Sequence, residues 1–265
     1  MKVPFTKAHG AKNDFLLTWE RDVPEGDLPA TARAICDRHT GIGADGWMIV
    51  SPPADASAEG AIRLYNSDGS DAEISGNGTR CAAALLIRQG HAAGVVRIRT
   101  GAGVKTLRLL DRRDLAFQFE MNMGQPEIRA LNFNLPLEHA APDVTIVWVG
   151  NPQCVVPVRD FDFDWRKTGA AIESHPQFPN RTNVSFVKAV DAHTIDVRFY
   201  ERGAGETMSS GTGSTGAGFA AVARGMAEWP LRVLTPAGPI DLRKEDDVFL
   251  TGPAEIVGEG YFFAP

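Results

Sequence analysis

The chain has 265 residues, 43% of them hydrophobic and 23% charged, and a formal net charge of −6. That composition is globular, and the acidic balance excludes partners that need broad basic patches, nucleic acid and anionic membrane surfaces among them. No apolar run approaches the roughly 20 residues that span a bilayer, and Met1-Lys2-Val3-Pro4-Phe5-Thr6 lacks the apolar core of a secretory signal.

Cys36, Cys81 and Cys154 are odd in number and scattered, which argues against a disulfide framework. His9, His39, His91, His139, His175 and His193 show no paired helical spacing, and there is no Cys-x-x-Cys, so no metal site is expected. A cytoplasmic protein is the resulting expectation. The length admits one large domain or two of about 130 residues.

In chain order, residues 3–8 alternate as a strand. Asp27-Leu28-Pro29 then opens a helix, with a capping carboxylate and a proline in the first turn, running towards His39. Strands follow at 47–50 and 61–65, and a helix at 76–89 is closed by Gly90. Three more strands are expected at 95–99, 104–110 and 115–121. The polar, strand-poor stretch 124–143 is where two halves are expected to join. The second half reads as strands at 145–149 and 154–158, a helix at 163–174, and strands at 183–189 and 194–199. A helix at 211–224, stopped by Gly225, precedes strands at 231–234 and 248–251. Two helices per half among hairpin-like strands predict an α/β chain of the α+β type, not a doubly wound parallel sheet.

One short phrase occurs twice. Ala72-Glu73-Ile74-Ser75-Gly76-Asn77-Gly78-Thr79 is answered, about half a chain length later, by Glu206-Thr207-Met208-Ser209-Ser210-Gly211-Thr212-Gly213. Each Ser-Gly-x-Gly opens a small-residue helical stretch. The offsets repeat too: Asn66 lies nine residues before Ser75, and Glu201 nine before Ser210. This duplication predicts two pseudo-symmetric domains facing one shared site.

Gly211-Thr212-Gly213-Ser214-Thr215-Gly216 matches the dinucleotide fingerprint, but the polar Glu201-Arg202-Gly203-Ala204-Gly205-Glu206-Thr207 precedes it where an apolar strand is required. The match is accidental. Neither serine lies in G-x-S-x-G, which argues against a serine hydrolase. What Ser-Gly-x-Gly at a helix start does supply is an anion site: close backbone approach and N–H groups without intrahelical acceptors. Ordinary N-capping by serine explains one such cluster; two at matched spacing favour a site.

Asn66-Ser67-Asp68-Gly69-Ser70-Asp71-Ala72-Glu73-Ile74-Ser75-Gly76-Asn77-Gly78-Thr79-Arg80-Cys81 resembles the first signature of the diaminopimelate epimerases, and 201–213 resembles the second. Further matches in the family's order are His9-Gly10 to Asn13-Asp14-Phe15, Gly41-Ile42-Gly43-Ala44-Asp45-Gly46, Gly150-Asn151-Pro152, Arg181-Thr182-Asn183 and Thr251-Gly252-Pro253-Ala254-Glu255. The resemblance implies two domains, each a curled, mostly antiparallel sheet around a central helix, at 1–122 (completed by a C-terminal strand at 256–265) and 123–255. It implies an isomerase that inverts a stereocentre of diaminopimelate on the route to lysine and peptidoglycan, without pyridoxal phosphate or any other cofactor. It further implies a cytoplasmic homodimer whose partner is a small amino acid. Gly76, Asn77, Gly211 and Thr212 match the amides that hold a carboxylate. Asn13, Asn66, Asn151, Asn183, Glu201 and Arg202 match the side chains that bind the substrate's two ends.

The departure falls on the chemistry. The family's two catalytic cysteine positions are Ser75 and Ser210 here. An aliphatic hydroxyl is a far weaker acid than a thiol, and a helix dipole worth at most ~2 kcal/mol does not close that gap. Without an adjacent base, Ser75 and Ser210 are expected to abstract an α-proton poorly. Lys12 stands where glycine is usual, and Gln153 where histidine usually follows Asn-Pro. Three readings stay open: an epimerase with both cysteines exchanged, a relative catalysing another isomerisation or a dehydration, and a non-catalytic amino-acid-binding protein.

Overall fold

The computed structural model describes residues 2–53, 55–138 and 141–263. Met1 and His139, together with Ala264 and Pro265 of the expected closing strand, lie outside the described residues. The chain divides into two compact units, Met1–Met121 with Gly252–Pro265, and Asn122–Thr251.

The first unit runs β1 (Lys2–Gly10), β2 (Asn13–Trp19), α1 (Leu28–Cys36), β3 (Gly46–Ser51), β4 (Gly60–Asn66), β5 (Asp71–Ala72), α2 (Gly76–Arg88), β6 (Val95–Thr100), β7 (Gly103–Arg113) and β8 (Ala116–Gly124). The second runs β9 (Glu127–Asn134), β10 (Asp143–Trp148), β11 (Pro152–Pro157), α3 (Trp165–Glu173), β12 (Asn183–Asp191), β13 (Thr194–Glu201), β14 (Gly205–Thr207), α4 (Gly211–Ala223), β15 (Leu231–Thr235) and β16 (Gly238–Lys244); the long β17 (Val248–Phe263) starts in the second unit and from Gly252 onward belongs to the first.

Pairing in the two units follows one pattern. In the first, antiparallel β1–β2 is followed by a parallel step from β2 to β3 across α1, an antiparallel β3–β4, and a parallel step from β4 to β6 across α2. The second repeats this as β10–β11, β11 to β12 across α3, β12–β13, and β13 to β15 across α4. Two parallel steps in an otherwise antiparallel sheet are what a helix crossover requires. The flanking strand is duplicated too: β17 lies against β1, and β9 against β10.

The crossover helices differ in kind. α2 packs against β1, β2, β4 and β6, and residues Gly76 through Ile87 are all buried. α4 packs likewise against β10 to β13, β15 and β16. A helix apolar or small on every side is a core helix, and Ala82-Ala83-Ala84-Leu85-Leu86 and Ala217-Gly218-Phe219-Ala220-Ala221 have that character. α1 and α3 are amphipathic and seal smaller outer cores. Ala32, Ile35 and Cys36 of α1 pack with Trp47 and Tyr65, while Trp165 and Ile172 of α3 pack with Phe186.

Several expectations are corrected. The stretch 124–143 is not strand-poor, since β9 occupies Glu127–Asn134 as the outer partner of β10. Its residues are mostly exposed or half-buried, which hid the alternation. The first helix stops at Cys36 rather than running towards His39. Asp37 ends it by accepting from the His39 and Thr40 N–H groups at 2.8 and 2.6 Å, an Asx turn that competes with another helical turn. The expected helix at 163–174 starts only at Trp165, because Asp164 caps it through Lys167 N at 3.0 Å. β2 was not anticipated at all. Parallel to β3 and buried on both faces, it reads as the run Phe15-Leu16-Leu17 without a period of two.

Candidate active site

In the first unit, extended backbone at Ser75 turns into α2. Its Oγ accepts from Gly78 N at 3.1 Å, and its carbonyl accepts from Thr79 N and Oγ1 at 2.8 and 2.7 Å. Ser210 repeats this at α4, its Oγ accepting from Gly213 N at 3.0 Å. A side chain on the fourth residue of each motif, glycine in both, would crowd its surroundings. A Cβ on Gly78 would lie 2.6 Å from Met48 Cε, and one on Gly213 would lie 2.8 Å from Ser210 Oγ. Each serine is therefore locked as N-cap at a terminus whose first-turn N–H groups have no intrahelical acceptor.

Behind Ser75 lies a line of buried polar groups. Asn77 Nδ2 donates to Asn13 Oδ1 at 3.1 Å, and Asn13 Nδ2 donates to Asp45 Oδ2 at 2.7 Å. Asn77 Oδ1 accepts from Arg80 Nη2 at 2.5 Å. Asp45 and Asp14 each accept from the other's backbone N–H at 3.1 Å, and both accept from Arg38 Nη2 at 2.8 Å. Burial works against the Asp14 carboxylate, but Arg38 and Lys7 outweigh it and hold its pKa below the usual value. Burial and then the charge of Asp14 raise that of Asp45. Asn66, at the end of β4, donates to Ser70 Oγ at 3.0 Å.

Asn13 is delivered by a two-residue hairpin turn in which Ala11 and Lys12 hold φ of 51° and 62°. Both are left-handed, the conformation of a type I′ turn that glycine adopts without strain. Lys12→Gly is expected to raise stability by about 1 kcal/mol, read as a higher urea midpoint at unchanged slope; an unchanged midpoint would mean the turn stores no strain.

The second unit differs in charge. Ser210 Oγ donates to Glu201 Oε1 at 2.6 Å, correcting the expectation that neither serine has an adjacent base. Glu201 ends β13 and closes the β13–β14 hairpin against Gly205, which turns the chain back towards α4. Among the described residues, the Ser75 hydroxyl finds no carboxylate. Asn151 Nδ2 donates to Thr212 Oγ1 at 3.3 Å, while Gln153 Nε2 donates to Asn151 Oδ1 at 2.7 Å and to Thr212 Oγ1 at 3.2 Å. Asn183 Oδ1 accepts from Arg202 N at 3.1 Å, and Arg202 Nη1 donates to Asn180 O at 3.2 Å.

The candidate residues thus fall into linked sets inside each unit: Asn13 with Asn77, Asn151 with Thr212, Asn183 with Arg202, and Glu201 with Ser210. Arg80, Asp45 and Gln153 join them although the sequence reading gave them no role. The signal for Arg80 was a cation within a stretch, Gly76 through Ile87, otherwise made of small, apolar and uncharged residues. Thiol chemistry is absent from these sets. Burial pushes Cys36 and Cys81 up to about 12 and Cys154 higher still. No group of three or more His, Cys, Asp or Glu that could hold a metal occurs among the described residues. Nor is any described helix long and apolar enough to cross a membrane.

Solved structures share this architecture. A hydroxyproline epimerase from Agrobacterium vitis with bound trans-4-hydroxy-L-proline superposes with a TM-score of 0.77 at 16% identity, over 98% of this chain and 92% of that one. A phenazine biosynthesis protein from Bacillus anthracis gives 0.74 at 14% identity, over the whole of both chains. At such identities the likeness establishes the fold alone. The sequence profile described as "Diaminopimelate epimerase" matches residues 5–128 and 145–257. Proteins named diaminopimelate epimerase from Pelotomaculum thermopropionicum and Cupriavidus taiwanensis are 38% and 37% identical, covering 97% and 98% of this chain and 98% and 97% of their own lengths. The chain is an isomerase of the epimerase and racemase class. It belongs to the diaminopimelate epimerase family.

Proposed function

We propose that this chain interconverts LL- and meso-diaminopimelate by proton transfer at one α-carbon, with Ser75 and Ser210 at the two proton-transfer positions. The single observation behind the reading is the 2.6 Å bond from Ser210 Oγ to Glu201, at a capped helix terminus of a chain that belongs to this family. The α-proton passes to Ser210 Oγ as the serine's own proton passes to the Glu201 carboxylate. Ser75 Oγ–H returns a proton to the other face of the carbon. Water then reprotonates Ser75, and Glu201 releases its proton. Charge developing on the substrate carboxylate is received by the N–H groups of Gly76, Asn77, Gly211 and Thr212. Asn13, Asn66, Asn151, Asn183 and Arg202 hold the substrate's polar ends, with Arg202 suited to the distal carboxylate by bidentate pairing. The reading includes a cytoplasmic homodimer, carried by the family resemblance alone and tested by sedimentation.

A hydroxyl relay is a weaker device than a thiolate, so slow turnover is expected. The test is incubation with each diaminopimelate isomer in deuterated water, following α-deuterium by mass spectrometry. Slow incorporation with inversion supports the reading. That the Ser75 hydroxyl meets no carboxylate among the described residues favours a second one, an amino-acid-binding protein, which predicts saturable calorimetric binding without exchange. Failure to bind diaminopimelate at all would point to another amino or hydroxy acid.

A further inference from the structure

We propose that Arg80 and Asp45 are positioning residues, the charged ends of one directional hydrogen-bond chain that locks the side-chain amides of Asn77 and Asn13 and so fixes both the first turn of α2 and what Asn13 presents to substrate. The inference rests on the reading of the Asn13 side chain and the Asn77 backbone N–H as substrate-binding groups. The links run Arg80 Nη2 to Asn77 Oδ1 at 2.5 Å, Asn77 Nδ2 to Asn13 Oδ1 at 3.1 Å, and Asn13 Nδ2 to Asp45 Oδ2 at 2.7 Å. Every N–H points the same way, from the cation to the carboxylate. A carboxamide fits its space equally well flipped, so its orientation is decided by its partners. Flipping Asn77 would set its NH2 against the guanidinium N–H groups, and flipping Asn13 would set its oxygen against a carboxylate. The two charged ends leave one arrangement, and buried hydrogen bonds in series polarise one another.

The ends are themselves held. Arg80 is 0% exposed, and its acceptors among the described residues are all neutral: Pro253 O at 2.9 Å, Gly76 O at 3.3 Å, and Asn77 Oδ1. Burial lowers its pKa to about 10, which leaves it a cation at neutral pH. The fold reserves room for it, since a Cβ on Gly252 would lie 3.0 Å from its Cζ. A buried guanidinium without a carboxylate is costly, so its retention calls for a use. Asp45 is clamped by Arg38 and the Asp14 N–H, and Asp14 in turn by Lys7 at 3.0 Å.

The second unit shows that the fold does not require this. Thr215 stands five residues after Ser210, as Arg80 does after Ser75, and its hydroxyl donates to Gly211 O at 2.9 Å. Among the described residues, the Asn151, Thr212 and Gln153 set there meets no ion at either end. The ionic chain belongs to the first helix terminus specifically.

Two measurements test it on Asp45→Asn, Arg80→Met and Arg80→Lys. The first follows the Asn13 and Asn77 side-chain amides by NMR of the 15N-labelled protein and needs no substrate. Asp45→Asn is expected to shift the Asn77 resonances upfield, and Arg80→Met those of Asn13, each at the end remote from the substitution. The second is calorimetry with meso-diaminopimelate. Kd is expected to rise about tenfold in Asp45→Asn and Arg80→Met, the loss of roughly one buried hydrogen bond, with Arg80→Lys recovering most of it. Unchanged remote resonances overturn the chain. A Kd within twofold of the parent, with only the melting temperature lowered, reduces both residues to structural roles. Should Arg80→Met fail to fold, Asp45→Asn and Arg80→Lys decide the matter. A parent that does not bind diaminopimelate sinks the proposed function, while the NMR result still decides the chain.

Discussion

Glu201→Gln is expected to lower α-hydrogen exchange by about 100-fold or more while leaving the fold intact. The glutamine keeps the size of the side chain, and its amide oxygen still accepts from Ser210 Oγ. What it removes is the ability to take the serine's proton, and a positioned acid or base is worth roughly 10²–10⁴ in rate. The structure makes this a sharp comparison, because Ser210 reaches a carboxylate at 2.6 Å and Ser75 reaches none among the described residues. Ser75→Ala, by contrast, removes a proton donor and the cap of α2, but no base. The measurement is deuterium incorporation into each diaminopimelate isomer, with circular dichroism as the check on folding. If exchange in Glu201→Gln stays within a few-fold of the parent, Glu201 is a substrate ligand only and the relay through Ser210 is wrong. A rise in Kd without change in the exchange rate at saturation would say the same.

The helix termini of the site were legible because capping is local. Ser75 and Ser210 bond N–H groups three residues on, a pattern written into Ser-Gly-x-Gly itself. The duplication was legible for a related reason: a repeated β-α-β unit places its motif at the same offset in each half, so Asn66 and Glu201 both end the strand, β4 or β13, from which the parallel crossover starts. The bond between Glu201 and Ser210 was not legible. It depends on the β13–β14 register, which sets Glu201 opposite Gly205. The chain from Arg80 to Asp45 was hidden for the same reason, since it links residues 80, 77, 13 and 45 drawn from α2, β2 and the turn before β3. Each was visible only as an odd residue in its setting: a cation in an apolar helix, a carboxylate inside Gly43-Ala44-Asp45-Gly46. Long-range polar pairing leaves no period in a sequence.

Ser75→Cys combined with Ser210→Cys is expected to raise α-hydrogen exchange by about 100-fold or more, the largest gain any pair of substitutions here should give. A thiol titrates near 8.5, and a helix N-terminus lowers it further, whereas a serine hydroxyl stays protonated unless a base takes its proton. The two sites do not treat a thiol alike. At position 75 a thiolate meets the first turn of α2 with the Arg80 cation bonded to Gly76 O behind it, and both favour the ionised form. At position 210 the neighbouring Glu201 opposes a second negative charge, so the thiol there is better kept protonated, with the carboxylate as its acceptor. Position 75 is therefore expected to supply the resting base and position 210 the acid. Each single variant should accordingly speed exchange of one epimer more than the other, and only the double variant should speed both. Loss of the double variant's gain on adding Glu201→Gln is the further expectation. A double variant that binds diaminopimelate but exchanges no faster than the parent would show that more than two atoms separate this chain from catalysis, and that the substrate-holding residues have been kept for binding.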